Sequence, residues 1–351
     1  MKDISQKTSQ KTSQDTLRTT SPVGLRLVFP RGSEVIAEPF SPAEPAADEV
    51  LVRIERSLLS TGTETIAYAR KFDPGTHWDN WVRYPFYPGY ASVGTVLRAG
   101  SGVGALKPGD RVASRTSHAS HIVRKADDCF RVPEGVATDE AVWFALAKIT
   151  GHGARAARIT LGDTVAVIGA GPIGQMTCRW ALASGAERVI CVDMAETRLQ
   201  MAAAAAGVIP VLAPASEALA AVEKITGGAR PRIVIESTGN AAVLKSAFGL
   251  VATEGTVVLL GDTGSPGSQT LTGDVITRGL TLVGVHDGRN SPAWNNPLAA
   301  ACFFEFVRGG RFPLAGLNTH HFAPAQCKDA YELAINDRTR TMGILFDWPA
   351  A

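Results

Sequence analysis

Residues Thr164–Gly174, reading TVAVIGAGPIG, restrict the fold more than any other stretch of the chain. An apolar run of strand length leads into Gly169, Gly171 and Gly174, and Gln175–Ser184 beyond it has helical character. Each glycine answers a separate steric need. Gly169 permits the tight turn, Gly171 lets backbone approach a pyrophosphate, and Gly174 allows close helix–strand packing. Pro172 and Ile173 complete the turn and are grouped with it as cofactor-binding residues. The helix N-terminus then offers free N–H groups and the positive end of its dipole to phosphates. A second strand, Arg188–Asp193, ends in an acid 19 residues after Gly174. A carboxylate there hydrogen-bonds the adenosine ribose hydroxyls and repels a 2′-phosphate, so the expected cofactor is NAD rather than NADP. Arg198, one helical turn further on, would favour a 2′-phosphate; it is expected instead to pack on the adenine or face solvent.

Two later apolar runs extend the same sheet. Arg232–Gly239 ends in small polar residues and Gly255–Gly261 ends in glycine. Ligands in open α/β sheets sit at the carboxyl ends of strands, which makes Ser237, Thr238 and Gly261 candidates for the nicotinamide side. Upstream, residues 23–135 carry short apolar or alternating runs at Gly24–Phe29, Glu49–Arg56, Ala91–Ala99, Asp110–Ala113 and Ser120–Arg124, punctuated by Gly and Pro. That is the pattern of an all-β, barrel-like unit. From about Ala137 the periodicity turns helical, and after Gly162 strand and helix alternate, which implies parallel strands with crossover helices. Beyond Gly284 the reading is a helix at Pro297–Arg308, a strand at Leu317–Phe322, a helix at Pro324–Asn336 and a final strand at Gly343–Asp347. This tail would return to the first domain. The organisation expected is residues 1–22 as a flexible polar tail (a docking arm is the alternative), 23–142 with 290–351 as the catalytic domain, and 143–289 as the Rossmann domain.

Bulk properties narrow the partners. A formal charge of +2 on 351 residues gives no reason to expect nucleic acid or an anionic membrane surface. No apolar run of about 18 residues exists to span a bilayer, and the polar N-terminus lacks the apolar segment of a secretory signal. Five scattered cysteines without a Cys-x-x-Cys pair argue against a disulfide framework or a four-cysteine zinc lobe. The expectation is a cytoplasmic protein acting on a small molecule.

The whole arrangement resembles the medium-chain dehydrogenase/reductase superfamily, the zinc-type alcohol dehydrogenases and their relatives. The likeness runs from about residue 24 to the end. It rests on Ser60–Glu64 (STGTE), Pro88–Gly94 (PGYASVG), Lys107–Val112 (KPGDRV), the glycine turn, Val234–Gly239 (VIESTG) and Thr319–Phe322 (THHF). The resemblance implies an α/β protein with a GroES-like β-barrel catalytic domain clasping a Rossmann domain, hydride transfer in the cleft between them, and a homodimer through the sheet edge near Thr270–Val285. The departures matter as much. Where zinc-binding members have Cys, a His-Glu pair and a further Cys or Glu, this chain has Thr61, then Tyr90 with Ala91, then Phe144. None of these is a thiolate, imidazole or carboxylate, the ligands zinc takes. The structural lobe is missing too, since Arg111–Asp127 contains no cysteine. No zinc is expected at either site.

Without the metal, a side chain must move the alcohol proton. The positions that inherit the family's active-site wall offer Lys148 as a base or as a partner of Asp139 or Glu140, and Tyr90 as a donor or as filler of the vacated metal space. They also offer Thr63 as a relay or a backbone cap, and His286 as a proton shuttle or a structural hydrogen-bonder. Thr61, Phe144 and His118 (a weaker candidate, on a loop) are expected to face substrate. The insert Phe72–Tyr87 is dense in aromatics, with Trp78 and Trp81 interleaved with Asp79, Asn80 and Arg83. Such faces suit a ring-shaped polar substrate, or a loop core or subunit contact. The leading expectation is a zinc-independent NAD-dependent alcohol, polyol or cyclitol dehydrogenase. A quinone or enone reductase and a non-catalytic NAD(H) sensor remain as alternatives.

Overall fold

The computed structural model describes residues 24–288 and 290–349; the tail expected over residues 1–22 lies outside them. Strands β1 (Gly24–Val28), β2 (Ile36–Phe40), β3 (Glu49–Leu59), β4 (Ser92–Ala99), β5 (Arg111–Ser114), β6 (His121–Lys125) and β7 (Cys129–Arg131) build the first domain. Then follow β8 (Thr164–Ile168), β9 (Arg188–Asp193), β10 (Val208–Leu212), β11 (Ile233–Glu236), β12 (Thr256–Leu259) and β13 (Thr281–Gly284). The chain closes with β14 (Asn318–Phe322) and β15 (Gly343–Asp347).

In the first domain β3 is the hub, hydrogen-bonded to β4, β6 and β15, with β14 and β15 extending the same sheet. The antiparallel pairing of β15 with β3 brings the C-terminal strand back onto the N-terminal barrel. The second sheet has the order β10-β9-β8-β11-β12-β13 with every pair parallel. Its central strands are buried along both faces, which explains their unbroken Val and Ile runs. Strand order reverses between β8 and β11. Ile168 there stands level with Val192 on one side and with Glu236 on the other, and Glu236 with Leu259. The carboxyl ends of four strands are therefore flush, at the topological switch point where such sheets bind ligands.

Strands β2, β7 and β10 were not legible in advance. β2 and β10 carry a proline each, Pro39 and Pro210, and both lie at sheet edges, where a missing N–H is tolerated. The two domains share a core of large aromatics, with Trp143, Phe144, Trp180, Phe303, Phe304 and Phe312 packed together. Among the described residues, no helix is long and apolar enough to cross a membrane.

Candidate active site

A cleft of about 860 Å³ opens between the barrel and the carboxyl ends of the parallel strands. On the Rossmann side, Gly169, Gly171, Pro172, Ile173, Asp193, Arg198, Ser237, Thr238 and Gly261 all line it. The turn has the geometry that its glycines foretold. Gly169 has φ +99°, and a Cβ on Gly174 would stand 1.8 Å from the carbonyl oxygen of Gly169. Gly174 therefore serves the site from behind, by letting the helix Pro172–Ala183 press onto β8, and does not itself line the cleft.

Asp193 is held at the end of β9 by two backbone donors. Its Oδ2 accepts from the N–H of Ala170 at 2.6 Å and its Oδ1 from that of Ala195 at 2.8 Å. The carboxylate thus bolts β9 to the glycine turn and still borders the cleft. Of the two places expected for Arg198, the structure excludes solvent: its guanidinium donates to the carbonyls of Arg338 and Thr341 while the residue borders the cleft, and burial pulls its pKa down. Ser237 Oγ donates to the carbonyls of Ile168 and Gly169 at 2.8 and 3.2 Å, tying β11 to the turn. Glu236 is the last residue of β11. It is fully buried and accepts from the N–H groups of Thr238 at 2.6 Å and Gly239 at 3.1 Å, which shapes this strand end; burial raises its pKa.

On the barrel side, Thr61 and Thr63 flank the start of the helix Thr63–Ala69 and line the cleft with Tyr90, Trp78 and Trp81. The Tyr90 hydroxyl donates to Ser60 Oγ at 2.6 Å, and the Arg115 guanidinium lies over its ring at 5.0 Å. Burial pushes the Tyr90 phenol above its ordinary pKa, so it stays neutral and available as a donor. Trp81, half exposed at the rim, packs with its ring centroid 5.7 Å from that of Trp78, which is buried in the barrel core as the loop-core alternative expected. His286 is exposed in the cleft, and its Nδ1 accepts from the N–H of Gly288 at 3.1 Å.

Three expectations are corrected. Lys148 is only 5% exposed and does not reach the cleft wall; its ammonium pairs with Asp287 Oδ1 at 2.9 Å, not with Asp139 or Glu140. Held by Asp287 and absent from the cleft wall, Lys148 stands where it positions that carboxylate and not where it would meet a substrate. His118 is fully buried between Ser57 Oγ at 2.8 Å and Glu64 Oε2 at 3.0 Å, inside the barrel instead of over the substrate. Phe144 begins the helix Phe144–Ala156 and turns into the shared core, 5.9 Å from Phe130 and 6.5 Å from Phe304 between ring centroids.

Five titratable cleft residues escaped the sequence reading: His77, Arg115, Asp262, Asp287 and Arg338. His77 Nε2 meets Asp262 Oδ2 at 2.9 Å across 185 residues of chain. The only advance signal was that Asp262 directly follows Gly261 at a strand end. As for the zinc implied by the family's name, the matching positions do not fit it. Thr61 and Tyr90 present hydroxyls, Ala91 a methyl group, and Phe144 a ring buried in the core.

Comparison with known proteins adds the following. Residues 172–301 match the zinc-binding dehydrogenase domain family, and residues 46–160 match the alcohol dehydrogenase GroES-like domain family. A sorbitol dehydrogenase of Pongo abelii is 29% identical over 273 residues, covering 68% of this chain and 75% of the relative. An Escherichia coli oxidoreductase/dehydrogenase of unknown specificity superposes with a TM-score of 0.81 at 21% identity, over 93% of this chain and 99% of that one. An alcohol dehydrogenase from E. coli CFT073, complexed with NADH, superposes with a TM-score of 0.77 at 20% identity, over 93% and 99%. The shared fold is that of a GroES-like domain joined to a Rossmann-like parallel sheet.

Proposed function

We propose that this chain, which belongs to the zinc-type alcohol dehydrogenase superfamily by both its domains, is an NAD-dependent alcohol or polyol dehydrogenase that works without zinc at the family's position. One observation carries the reading: a dinucleotide turn, the strand ends and the His286 imidazole beyond β13 face a wall of hydroxyls, Thr61, Thr63 and Tyr90, across a single cleft. The oxidoreductase class acting on alcohols follows from the relatives; the cofactor, the polyol and the missing zinc are the further steps.

Gly169, Gly171 and Asp193 would hold NAD⁺, which would supply the hydride acceptor. Tyr90 and Thr63 hold the substrate oxygen, the single Tyr90 proton turning to it from Ser60 Oγ, where it points now. His286 takes the alcohol proton, since its ring is exposed in the cleft two residues beyond β13 and bears no ion pair among the described residues, and its Nδ1 lone pair becomes available once the Gly288 N–H lets go of it. Trp81, backed by the buried Trp78, gives the apolar face of a sugar-like substrate something flat to lie on. The deciding experiment follows NAD⁺ reduction across sugars, cyclitols and simple alcohols with a strong chelator present. Polyol turnover that survives the chelator supports the proposal. Silence across the panel with NADH binding intact shifts the reading to the enone reductase or the sensor.

Two substitutions probe the details. Tyr90→Phe removes one hydrogen bond to the reacting oxygen and should lower kcat/KM by about 10- to 100-fold, ~1.5–3 kcal/mol, while leaving NADH affinity unchanged. A kcat/KM equal to wild type would remove Tyr90 from the wall. Asp193→Ala deletes the charge that repels a 2′-phosphate and leaves Arg198 and Arg338 beside it. Titration by NADH and NADPH fluorescence should show the preference for NADH falling by about a hundredfold, ~3 kcal/mol. An unchanged ratio would mean that Asp193 does not select the cofactor.

The homodimer belongs to the same proposal. Strand β13 is one of the two edges of the parallel sheet, and Leu271 and Ile276, just before it in the chain, are exposed. Sedimentation should give twice the chain mass, and Ile276→Asp should return it to one.

A further inference from the structure

Three side chains drawn from both domains converge at the mouth of the cleft. His77 comes from the aromatic insert of the barrel, Asp262 follows β12, and His286 follows β13. Their candidate ligand atoms all lie within 4.8 Å of one another, and among the described residues no other group of three is so placed. We propose that His77, Asp262 and His286 form a divalent transition-metal site that bridges the two domains and, when filled, withholds His286 from proton transfer. The inhibitory half rests on the functional reading above; the binding half does not.

The donor set is two imidazoles and a carboxylate, which suits zinc and its first-row neighbours and not magnesium or calcium. Bonds of about 2.0–2.2 Å in tetrahedral geometry put ligand atoms about 3.3 Å apart. His77 Nε2 and Asp262 Oδ2 now stand at 2.9 Å, so an ion entering between them needs only a small opening. Asp262 is already oriented, because its Oδ1 accepts from the N–H of Thr263 at 2.8 Å, the kind of outer contact that steadies a ligating carboxylate. The rings of His77 and His286 meet edge to face at 6.1 Å, close enough to turn onto one ion. Side-chain exposure of 52% for His77 and 44% for Asp262 leaves an entry path. Three protein ligands leave a fourth position for water.

This place is distinct from that of Thr61, Tyr90 and Phe144, where the family's zinc would have been held. Ligation has a structural consequence. The Nδ1 lone pair of His286 now accepts from Gly288. Binding through Nδ1 displaces that contact, and binding through Nε2 sends the ring proton to Nδ1 and breaks it as well. Either way the filled site reshapes the turn at Asp287–Gly288 and pins the barrel insert to the Rossmann strand ends. A ligated imidazole has no lone pair left for an alcohol proton.

The test uses full-length protein freed of any histidine tag and stripped with chelator. Titration with Co²⁺, read by its visible absorption, and with Zn²⁺, read by calorimetry, should each show one equivalent per chain. His77→Ala, Asp262→Asn and His286→Ala should each weaken binding by at least about tenfold. All three positions are exposed, so the variants keep the fold, which thermal melting without metal verifies. No binding by about 0.1 mM metal, or one equivalent that persists in all three variants, overturns the site. In the polyol assay, Zn²⁺ should inhibit and chelator should restore. Activity that instead requires the ion overturns the inhibitory half and the zinc-free reading together, and the binding data stand apart from both.

Discussion

Gly174→Val is expected to abolish measurable NADH binding and to cost the Rossmann domain about 3 kcal/mol, the upper range of overpacking. The Cβ of any larger residue would sit 1.8 Å from the Gly169 oxygen and 2.8 Å from its carbonyl carbon. Neither atom is the loose end of a side chain. Gly169 holds φ +99°, a conformation most side-chain-bearing residues avoid, and Ser237 Oγ is hydrogen-bonded to the same carbonyl. Relief therefore requires the helix Pro172–Ala183 to lift away from β8. Its N-terminal N–H groups and its dipole then leave the place where a pyrophosphate would lie. Gly104→Ala is the control, since a Cβ there meets nothing within 4 Å and no positive φ is needed. Fluorescence titration with NADH and a thermal melt read both effects. Wild-type affinity in Gly174→Val would refute the steric account of the turn.

How much was readable in advance follows the distance over which each feature is specified. The glycine turn and its acid are local: strand, turn, helix and carboxylate lie within 30 residues, and the structure assembles them as read. The return of β15 to β3 followed from the strand–helix–strand tail. The barrel wall was readable as residue types, Thr61, Thr63 and Tyr90, and so was His286 beyond β13, because a family likeness gave their place. It failed where position in the chain and direction of the side chain part company. Phe144 holds a cleft position by spacing, but its helix turns it toward Phe130 and Phe304. Lys148, one turn further, is carried to Asp287, whose partnership no helical periodicity could announce. His77 and Asp262 meet only through the closure of two domains, and neither stands in a motif.

Glu64→Ala is expected to cost about 3–5 kcal/mol, the range for breaking a buried, hydrogen-bonded charge, and to disturb the site from beneath. Glu64 is almost fully buried. Its Oε1 accepts from the N–H of Ser60 at 2.8 Å, and its Oε2 accepts from His118 at 3.0 Å and from the Tyr331 hydroxyl. Burial first, and then the Glu64 charge, push the Tyr331 phenol well above its ordinary range, so that it remains a donor. One carboxylate thus joins the helix Thr63–Ala69, the buried His118 and the C-terminal helix Cys327–Asn336. Truncation strands two buried polar groups at once and frees the Ser60 N–H. Ser60 also receives the Tyr90 hydroxyl, so a loosened Ser60 should lower kcat beyond what the stability loss explains. Glu64→Gln keeps the volume and one acceptor, and should recover roughly half of the stability, losing about 1–2 kcal/mol. Urea midpoints for the barrel separate the three proteins. If Glu64→Ala unfolds within about 0.5 kcal/mol of wild type, the carboxylate is dispensable and His118 is held by Ser57 alone.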